Sequence, residues 1–157
     1  MPSRRRFAVV GAGIVGSAVA RALTRSGMAS SVTVLEKETS PGTHQTRRNS
    51  GVVHAGLYYT PGSAKARFSR HGVALLREYC ATKGLAYLEC GKVLVALDEA
   101  ERRRMADIHA RAVANGVPGV RLLTGSELRD IEPHVRGIAG LHSPSTAVVD
   151  FADIARA

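Results

Sequence analysis

Three glycines near the amino end are spaced to hold the phosphates of a nucleotide. They occur in Gly11-Ala12-Gly13-Ile14-Val15-Gly16, a GxGxxG pattern that follows a short apolar run. In this pattern the first glycine permits a tight turn, the second lets the backbone approach a pyrophosphate, and the third lets a helix pack closely on a strand. The free N–H groups at the start of that helix can then bind the diphosphate.

A carboxylate follows at the distance that this chemistry requires. Glu36 lies about twenty residues beyond Gly16, where a dinucleotide-binding unit places an acid that accepts hydrogen bonds from the adenosine ribose. An acid at this position favours a free ribose hydroxyl group over a 2′-phosphate. The sequence therefore predicts FAD or NAD as the ligand in preference to NADP.

The elements around the glycines have the order of a βαβ unit. The apolar run from Phe7 to Val10 predicts a strand, and the run from Val32 to Leu35 predicts a second strand that leads into Glu36. Between them apolar residues recur from Ile14 onward with a helical period, and Gly27 marks the end of the helix. A glycine turn without a ligand is the alternative interpretation, but this order of elements favours the dinucleotide site.

A long polar loop follows the second strand. From Lys37 to Pro61 the sequence has neither helical nor strand periodicity, and loops of this length in compact domains are usually functional or disordered. Apolar residues such as Val53 and Leu57 would anchor the loop, which argues against disorder. Polar side chains separated by small residues are typical of a loop that wraps a ligand. An ordered connecting loop without such a role is the alternative.

The remainder of the chain alternates between helical and strand patterns. Paired residues of the capping-box type open two of the helices, Asp98 with Glu101 and Thr124 with Glu127. Gly91 interrupts a strand pattern, which predicts a turn or a bulge at that position. The predicted elements are a helix over 62–83, a strand pattern over 85–97, helices that begin at Asp98 and Thr124, a strand over 137–142 and a helix capped by Asp150.

Net charge and cysteine content limit the partners. The 157 residues carry a net charge of +9, but the arginines are scattered without a nucleic-acid-binding motif, so we expect no nucleic-acid partner. The charge would suit an anionic substrate or peripheral contact with a membrane surface.

Cys80 and Cys90 lack metal-ligand spacing, so we expect reduced thiols and no metal site. No apolar run is long enough to span a bilayer; we expect a cytoplasmic location, with peripheral contact at the inner face of the membrane as the alternative.

The stretch from His44 to Ala66, HQTRRNSGVVHAGLYYTPGSAKA, resembles the L-2-hydroxyglutarate oxidase/dehydrogenase family. This family is part of the D-amino-acid-oxidase-like superfamily of FAD-dependent oxidoreductases. The resemblance covers nearly all residues from Phe7 on. Shorter motifs that support it are Cys90–Ala96, Glu132-Pro133, Pro144–Thr146 and Val148–Asp150.

The resemblance implies an α/β fold of which the chain holds only a part. We expect a Rossmann-like FAD-binding βαβ unit with its flavin-side loop over residues 1–61. Residues 62–157 would join this unit to the start of an α+β substrate domain, the rest of the enzyme being absent. Because a doubly wound sheet needs more than two parallel strands, the first strand pair should be left largely unburied.

The cofactor that the resemblance implies is FAD. The glycine turn and helix start would line its pyrophosphate, the acid would bind its ribose, and the following loop would run close to the flavin. Arg47 and Arg48 replace the Gly-His that family members usually have, which adds bulk and charge beside the cofactor. By position, the cofactor-binding residues would be Gly11, Gly13, Ile14, Val15, Gly16, Glu36, Lys37, Gln45, Thr46, Asn49, Ser50, Gly51 and Val52.

The reaction that the resemblance implies is oxidation of L-2-hydroxyglutarate to 2-oxoglutarate, with the electrons passed to oxygen or to a membrane quinone pool. A base must take the hydroxyl proton, and His54 is the candidate because imidazole exchanges protons near neutral pH. A structural role is the alternative for this histidine. Two other functions stay open: an amine or amino-acid oxidase of the same superfamily, and a truncated fragment that binds nucleotide without catalysis.

Overall fold

The computed structural model describes residues 5–157. Its contacts divide them into two compact units. The first unit contains residues 5–51, 83–86 and 149–157, and the second contains Val52–Thr82 and Tyr87–Val148. In chain order the elements of the described residues are β1 (Arg5–Val10), α1 (Ile14–Arg25), β2 (Ala29–Leu35), β3 (Val52–Val53), α2 (Ala64–Lys83), β4 (Lys92–Ala96), α3 (Glu99–Ala114), β5 (Arg121–Thr124), α4 (Gly125–Ile131), β6 (Ala139–Ser143), β7 (Ala147–Val148) and α5 (Phe151–Arg156).

The two units do not follow the division that the sequence suggests after residue 61. The chain leaves the first unit after Gly51, passes through it briefly at Lys83–Ala86 and returns to it at Val149. Val149 N–H donates a hydrogen bond to the carbonyl oxygen of Gly51 at 2.9 Å, so these two positions are tied together within the first unit. The boundary at Pro61 stays a prediction for the domains of the whole protein.

The first unit is built on the predicted βαβ arrangement. β1 and β2 pair in parallel, and α1 connects them along the chain. At the end of α1 Ser26 N–H donates to the carbonyl oxygen of Ala22, and Gly27 adopts φ +71°, a left-handed conformation that favours glycine. α5 packs against α1 and completes this unit.

The apolar residues of the first unit are largely uncovered within residues 5–157. Val10 at the end of β1 is 85% exposed, and Leu35 at the end of β2 is 54% exposed. No residue of α1 is buried, and Val15 of its apolar stripe is 73% exposed. Parallel sheets are normally covered on both faces. The expectation that the first strand pair would be left unburied is confirmed, and the chain contains only part of the full fold.

The core of the second unit lies on a three-stranded antiparallel sheet of order β4-β6-β5, against which α3 and α4 pack. Leu128 of α4 and Leu141 of the central strand are both fully buried. Gly140 makes room for the helix, since a Cβ atom at that position would lie 2.9 Å from Leu128 Cδ1. The buried cluster of this unit consists of Ala55, Leu57, Ala96, Met105, Ala112, Val117, Ala139 and Leu141.

Side-chain caps begin both helices that pack on this sheet, as the sequence predicts. At the start of α3, Asp98 accepts a hydrogen bond from Glu101 N–H at 2.8 Å. The cap of α4 is reciprocal, because Thr124 Oγ1 accepts from Glu127 N–H at 3.3 Å and Glu127 Oε2 accepts from Thr124 N–H at 2.8 Å. The hydrogen bonds from Thr124 lower the pKa of the Glu127 carboxyl group.

The sequence predicts none of the three short strands β3, β5 and β7, and β3 and β5 illustrate the reason. β3 lies inside the long polar loop and exists because it pairs with β7, which places Val52 opposite Val148. β5 ends at Thr124 and is held by pairing with β6. The sequence indicates Thr124 only as the cap of the next helix. Both strands depend on partners distant in sequence, which a pattern within a short window does not reveal.

Leu128→Ala should lower the free energy of unfolding by about 2–5 kcal/mol, because Leu128 is fully buried and its truncation leaves a cavity. Chemical denaturation of the purified protein, followed by circular dichroism, measures this change. Leu122→Ala is the matched control and should lose clearly less, since Leu122 is 46% exposed on β5. Equal losses for the two variants would contradict the place of Leu128 in the core.

Candidate functional site

The glycine turn of the first unit is open on the side where a ligand would approach. Gly11 adopts φ +93°, and a Cβ atom built on it would meet no atom within 4 Å. Its N–H donates to the carbonyl oxygen of Leu35 at 2.7 Å, which ties the turn to the end of β2. At Gly16 a Cβ atom would lie 1.9 Å from the carbonyl oxygen of Gly11, so only glycine lets α1 approach this closely. The two glycines have the conformations that their spacing predicts.

The Glu36 carboxylate is fixed by three backbone N–H groups. Its Oε2 accepts from Ala12 N–H at 2.6 Å, and its Oε1 accepts from Lys37 N–H at 2.8 Å and from Glu38 N–H at 3.0 Å. These bonds, above all the one from Ala12, lower the pKa of Glu36. An ionised carboxylate has about four acceptor positions. Glu36 therefore retains capacity on Oε2 for a hydroxyl donor such as a ribose.

Thr46 brings the long loop to the amino end of α1. Its Oγ1 accepts a hydrogen bond from Ile14 N–H at 3.0 Å. A Cβ atom on Gly13 would lie 3.1 Å from the same oxygen, so glycine permits the close approach. The first turn of a helix has no intrahelical partner for its N–H groups. Thr46 already accepts the hydrogen bond from Ile14 N–H. Among the first-turn N–H groups within residues 5–157, those of Val15 and Gly16 therefore stay available to an anion.

The segment that follows Thr46 is held by the side chain of Asn49. Its Nδ2 donates to the carbonyl oxygen of Thr46 at 2.6 Å, and its Oδ1 accepts from Gly51 N–H at 2.8 Å. Gly51 adopts φ +68°, and a Cβ atom there would lie 2.6 Å from the carbonyl oxygen of Val149, so the position requires glycine. Arg47 and Arg48 lie on the intervening turn with exposed side chains. Their charge faces solvent within this unit.

The first unit thus fits a dinucleotide. It offers an open turn at Gly11, backbone donors at the start of α1 and an ionised carboxylate at Glu36 with remaining acceptor capacity. The predicted residues that lie in this unit are Gly11, Gly13, Ile14, Val15, Gly16, Glu36, Lys37, Gln45, Thr46, Asn49, Ser50 and Gly51. Their contact with a cofactor stays a prediction, and Ile14 N–H already has a partner in Thr46.

The other two predicted residues, Val52 and His54, lie in the second unit. Val52 is paired in β3, and His54 is exposed at the edge of a small pocket. The pocket has a volume of about 10 Å³, which is room for about one water molecule. Its lining consists of His54, Ala55, Gly56, Leu57, Tyr58, Tyr59, Lys92 and Thr146.

Side chains from two helices hold the backbone of the segment that lines this pocket. From α2, Ser69 Oγ donates to the carbonyl oxygen of His54 at 3.2 Å, and Arg70 Nη1 donates to that of Ala55 at 3.3 Å. Asn115, the residue that ends α3, donates from Nδ2 to the carbonyl oxygens of Gly56 at 3.0 Å and Tyr59 at 2.8 Å. The histidine is therefore positioned through its backbone.

Sequence reasoning does not identify these supporting residues. Asn115 is recognisable only as a helix end, and Ser69 and Arg70 are ordinary polar positions on α2. Lys92 also lines the pocket. It lies in the Cys90–Ala96 motif that supports the family resemblance, and this motif is the sequence signal that could have identified it.

Two classes of site are not found among the described residues. Within residues 5–157 no three His, Cys, Asp or Glu side chains lie close enough together to hold a metal ion. None of the helices in the same range has the length and apolar character needed to cross a membrane. Cys80 is a buried free thiol and Cys90 an exposed one.

The curated proteins that this chain resembles include L-2-hydroxyglutarate dehydrogenases from different organisms. L-2-hydroxyglutarate dehydrogenase, mitochondrial, of Homo sapiens is 44% identical over 147 residues, which is 94% of this chain and 32% of that protein. L-2-hydroxyglutarate dehydrogenase of Escherichia coli (strain K12) is 40% identical over 96% of this chain and 36% of its own length. The chain spans about a third of the length of the curated relatives it matches.

Solved structures show the same relationship. L-alpha-glycerophosphate oxidase from Mycoplasma pneumoniae, determined with FAD bound, matches with a TM-score of 0.85 at 26% identity over 99% of this chain and 41% of its own. L-proline dehydrogenase from P. horikoshii matches with a TM-score of 0.82 at 25% identity over 99% of this chain and 40% of its own. The family model described as FAD dependent oxidoreductase matches residues 6–157. The chain with the open glycine turn and the fixed carboxylate belongs to the FAD dependent oxidoreductase family.

Proposed function

We propose that this chain is the cofactor-binding part of an FAD-dependent oxidoreductase that converts L-2-hydroxyglutarate to 2-oxoglutarate. The observation that carries the proposal is the meeting of the Glu36 carboxylate, the Thr46 hydroxyl and the start of α1 at one glycine turn. The names of the relatives that are 40% to 44% identical support the choice of substrate. The resemblance of the segment from His44 to Ala66 supports it independently of the fold.

Each group at the glycine turn would bind a different part of FAD. The N–H groups of Val15 and Gly16 would donate to the diphosphate at the positive end of the helix dipole. The Glu36 carboxylate would accept from a ribose hydroxyl group. Residues from Thr46 to Gly51 would run beside the flavin, which when bound accepts a hydride from the substrate.

His54 would provide the acid–base chemistry. Oxidation of a 2-hydroxy acid requires removal of the hydroxyl proton as the α-carbon loses hydride. His54 is exposed at the pocket, and its backbone is held by Ser69, so its imidazole is free to take that proton. The acceptor of the electrons would be oxygen or a quinone pool. The net charge of +9 is compatible with a cytoplasmic protein that contacts an anionic membrane at its inner face.

The complete natural protein that contains this chain should be purified with bound flavin and should reduce an artificial dye with L-2-hydroxyglutarate as the substrate. D-Amino acids and glycine should give no comparable rate, because the family resemblance is to hydroxy-acid enzymes. Absorbance spectra and dye-coupled kinetics provide both measurements. Turnover of an amino acid in place of the hydroxy acid would assign the protein to the amino-acid oxidases. A colourless protein that FAD does not reconstitute would overturn the proposed function.

Glu36→Gln should weaken FAD binding by about tenfold or more, because an amide donates where the carboxylate accepts and loses the charge-assisted bonds from the backbone. Fluorescence titration of the apoprotein with FAD measures the dissociation constant. Glu38→Gln is the control, since Glu38 is an exposed acid that pairs with Lys37 at the surface, at 3.6 Å. An unchanged dissociation constant for Glu36→Gln would remove Glu36 from the cofactor site.

His54→Asn should lower kcat by about 10²- to 10⁴-fold, the usual contribution of a positioned general base. The flavin content and the melting temperature should stay close to those of the wild type, because the backbone contacts of residue 54 do not use the imidazole. Steady-state kinetics over a range of pH measure the effect. His71→Asn, on the exposed side of α2, is the control. Loss of stability with an unchanged kcat would show a structural histidine.

A further inference from the structure

A lysine and a tyrosine form a polar pair in the pocket of the second unit. Lys92 Nζ donates a hydrogen bond to Tyr58 Oη at 2.9 Å and lies 5.0 Å from the centroid of the same ring. Lys92 is half-buried at the start of β4, and Tyr58 is 41% exposed. Both residues line the pocket that His54 borders. A positive charge is thus held at a site that a small molecule can reach.

This charge has no acidic partner among residues 5–157. None of the ion pairs in the described chain includes Lys92. Glu89, the acid nearest to it in sequence, pairs with Arg77. A lysine ammonium group has three donors, and Tyr58 occupies one of them. Because the phenol oxygen accepts that bond, the tyrosine hydroxyl hydrogen also remains to donate outward.

The remaining donors match a carboxylate. Two ammonium hydrogens and one phenol hydrogen remain on atoms that lie 2.9 Å apart, and an ionised carboxylate is an acceptor with two oxygens. The pocket volume of about 10 Å³ admits one water-sized group but not a five-carbon acid. One oxygen of a terminal carboxylate could therefore enter while the rest of the molecule stays outside the pocket.

We propose that Lys92 and Tyr58 form a subsite that binds one carboxylate of the dicarboxylic acid substrate. The proposal rests on the proposed function for the identity of the substrate. It assigns the substrate charge to a residue pair that the cofactor site does not include, and it places this charge at the same pocket as the candidate base His54.

The chain contains a matched pair that serves as a control. Lys65 Nζ lies 5.4 Å from the centroid of the Tyr59 ring, a cation–π contact much like that of Lys92 with Tyr58. Lys65 is exposed on α2 and does not line the pocket. If the lysine of such a pair only stabilises the aromatic ring, the same substitution at the two positions should have the same effect on ligand binding.

The test is the affinity for 2-oxoglutarate in the complete natural protein, purified with its flavin and titrated by calorimetry. Lys92→Met should raise the dissociation constant by about tenfold or more, because it removes a charge-assisted hydrogen bond at nearly constant side-chain length. Tyr58→Phe should raise it severalfold, and Lys65→Met should leave it unchanged. Lys92→Arg keeps the cation and should retain most of the affinity. Circular dichroism and melting temperatures report folding, and if Lys92→Met does not fold, Tyr58→Phe and Lys92→Arg decide.

Wild-type affinity in both Lys92→Met and Tyr58→Phe, or an equal loss in Lys65→Met, would overturn the subsite. Titration with 2-oxobutyrate, which has one carboxylate, extends the test. Weakening for 2-oxoglutarate alone would assign the pair to the carboxylate far from the reacting carbon, and weakening for both acids would assign it to the near one.

Binding does not require turnover. A protein that fails to oxidise L-2-hydroxyglutarate but binds 2-oxoglutarate through Lys92 would overturn the proposed function and support the subsite.

Discussion

The hydrogen bond between Ala12 N–H and Glu36 Oε2, at 2.6 Å, is the interaction on which the first unit depends. It joins the turn after β1 to the end of β2, 24 residues further along the chain. It lowers the pKa of Glu36, so the carboxylate carries its charge where a ribose would lie. Thr46 reaches the same helix end from the loop and bonds to Ile14 N–H. Two segments distant in sequence thus fix the geometry around one glycine turn.

The sequence predicts the parts of this structure that depend on local rules. The left-handed Gly27 and Gly91 and the caps at Asp98 and Thr124 each follow from residues within a few positions of one another, and the βαβ unit follows from the glycine spacing and the order of its apolar runs. The parts that depend on distant partners are not predictable in this way. Asn115 and Gly56 are 59 residues apart, and nothing in either neighbourhood indicates their hydrogen bond. The same reason hides β5 and the grouping of Val149 with Gly51.

The uncovered apolar residues of the first unit are informative about the candidate site. A strand pair with Val10 at 85% exposure and a helix without buried residues would be unusual in a finished parallel sheet. The glycine turn nevertheless has its final hydrogen bonds, because Glu36, Thr46 and Gly11 find their partners within the unit itself. The hydrogen bonds of the glycine turn therefore need less of the fold than burial of the sheet does.

The second unit positions its side chains by a different means. The carbonyl oxygens of His54, Ala55, Gly56 and Tyr59 accept hydrogen bonds from side chains at α2 and at the end of α3. These four hydrogen bonds hold the segment through its backbone and do not use the His54 imidazole. Catalytic groups work best when their supports are independent of the atoms that react. The pocket that this segment lines therefore has its polar side chains, His54 and Tyr58, on a backbone that is held by α2 and by Asn115.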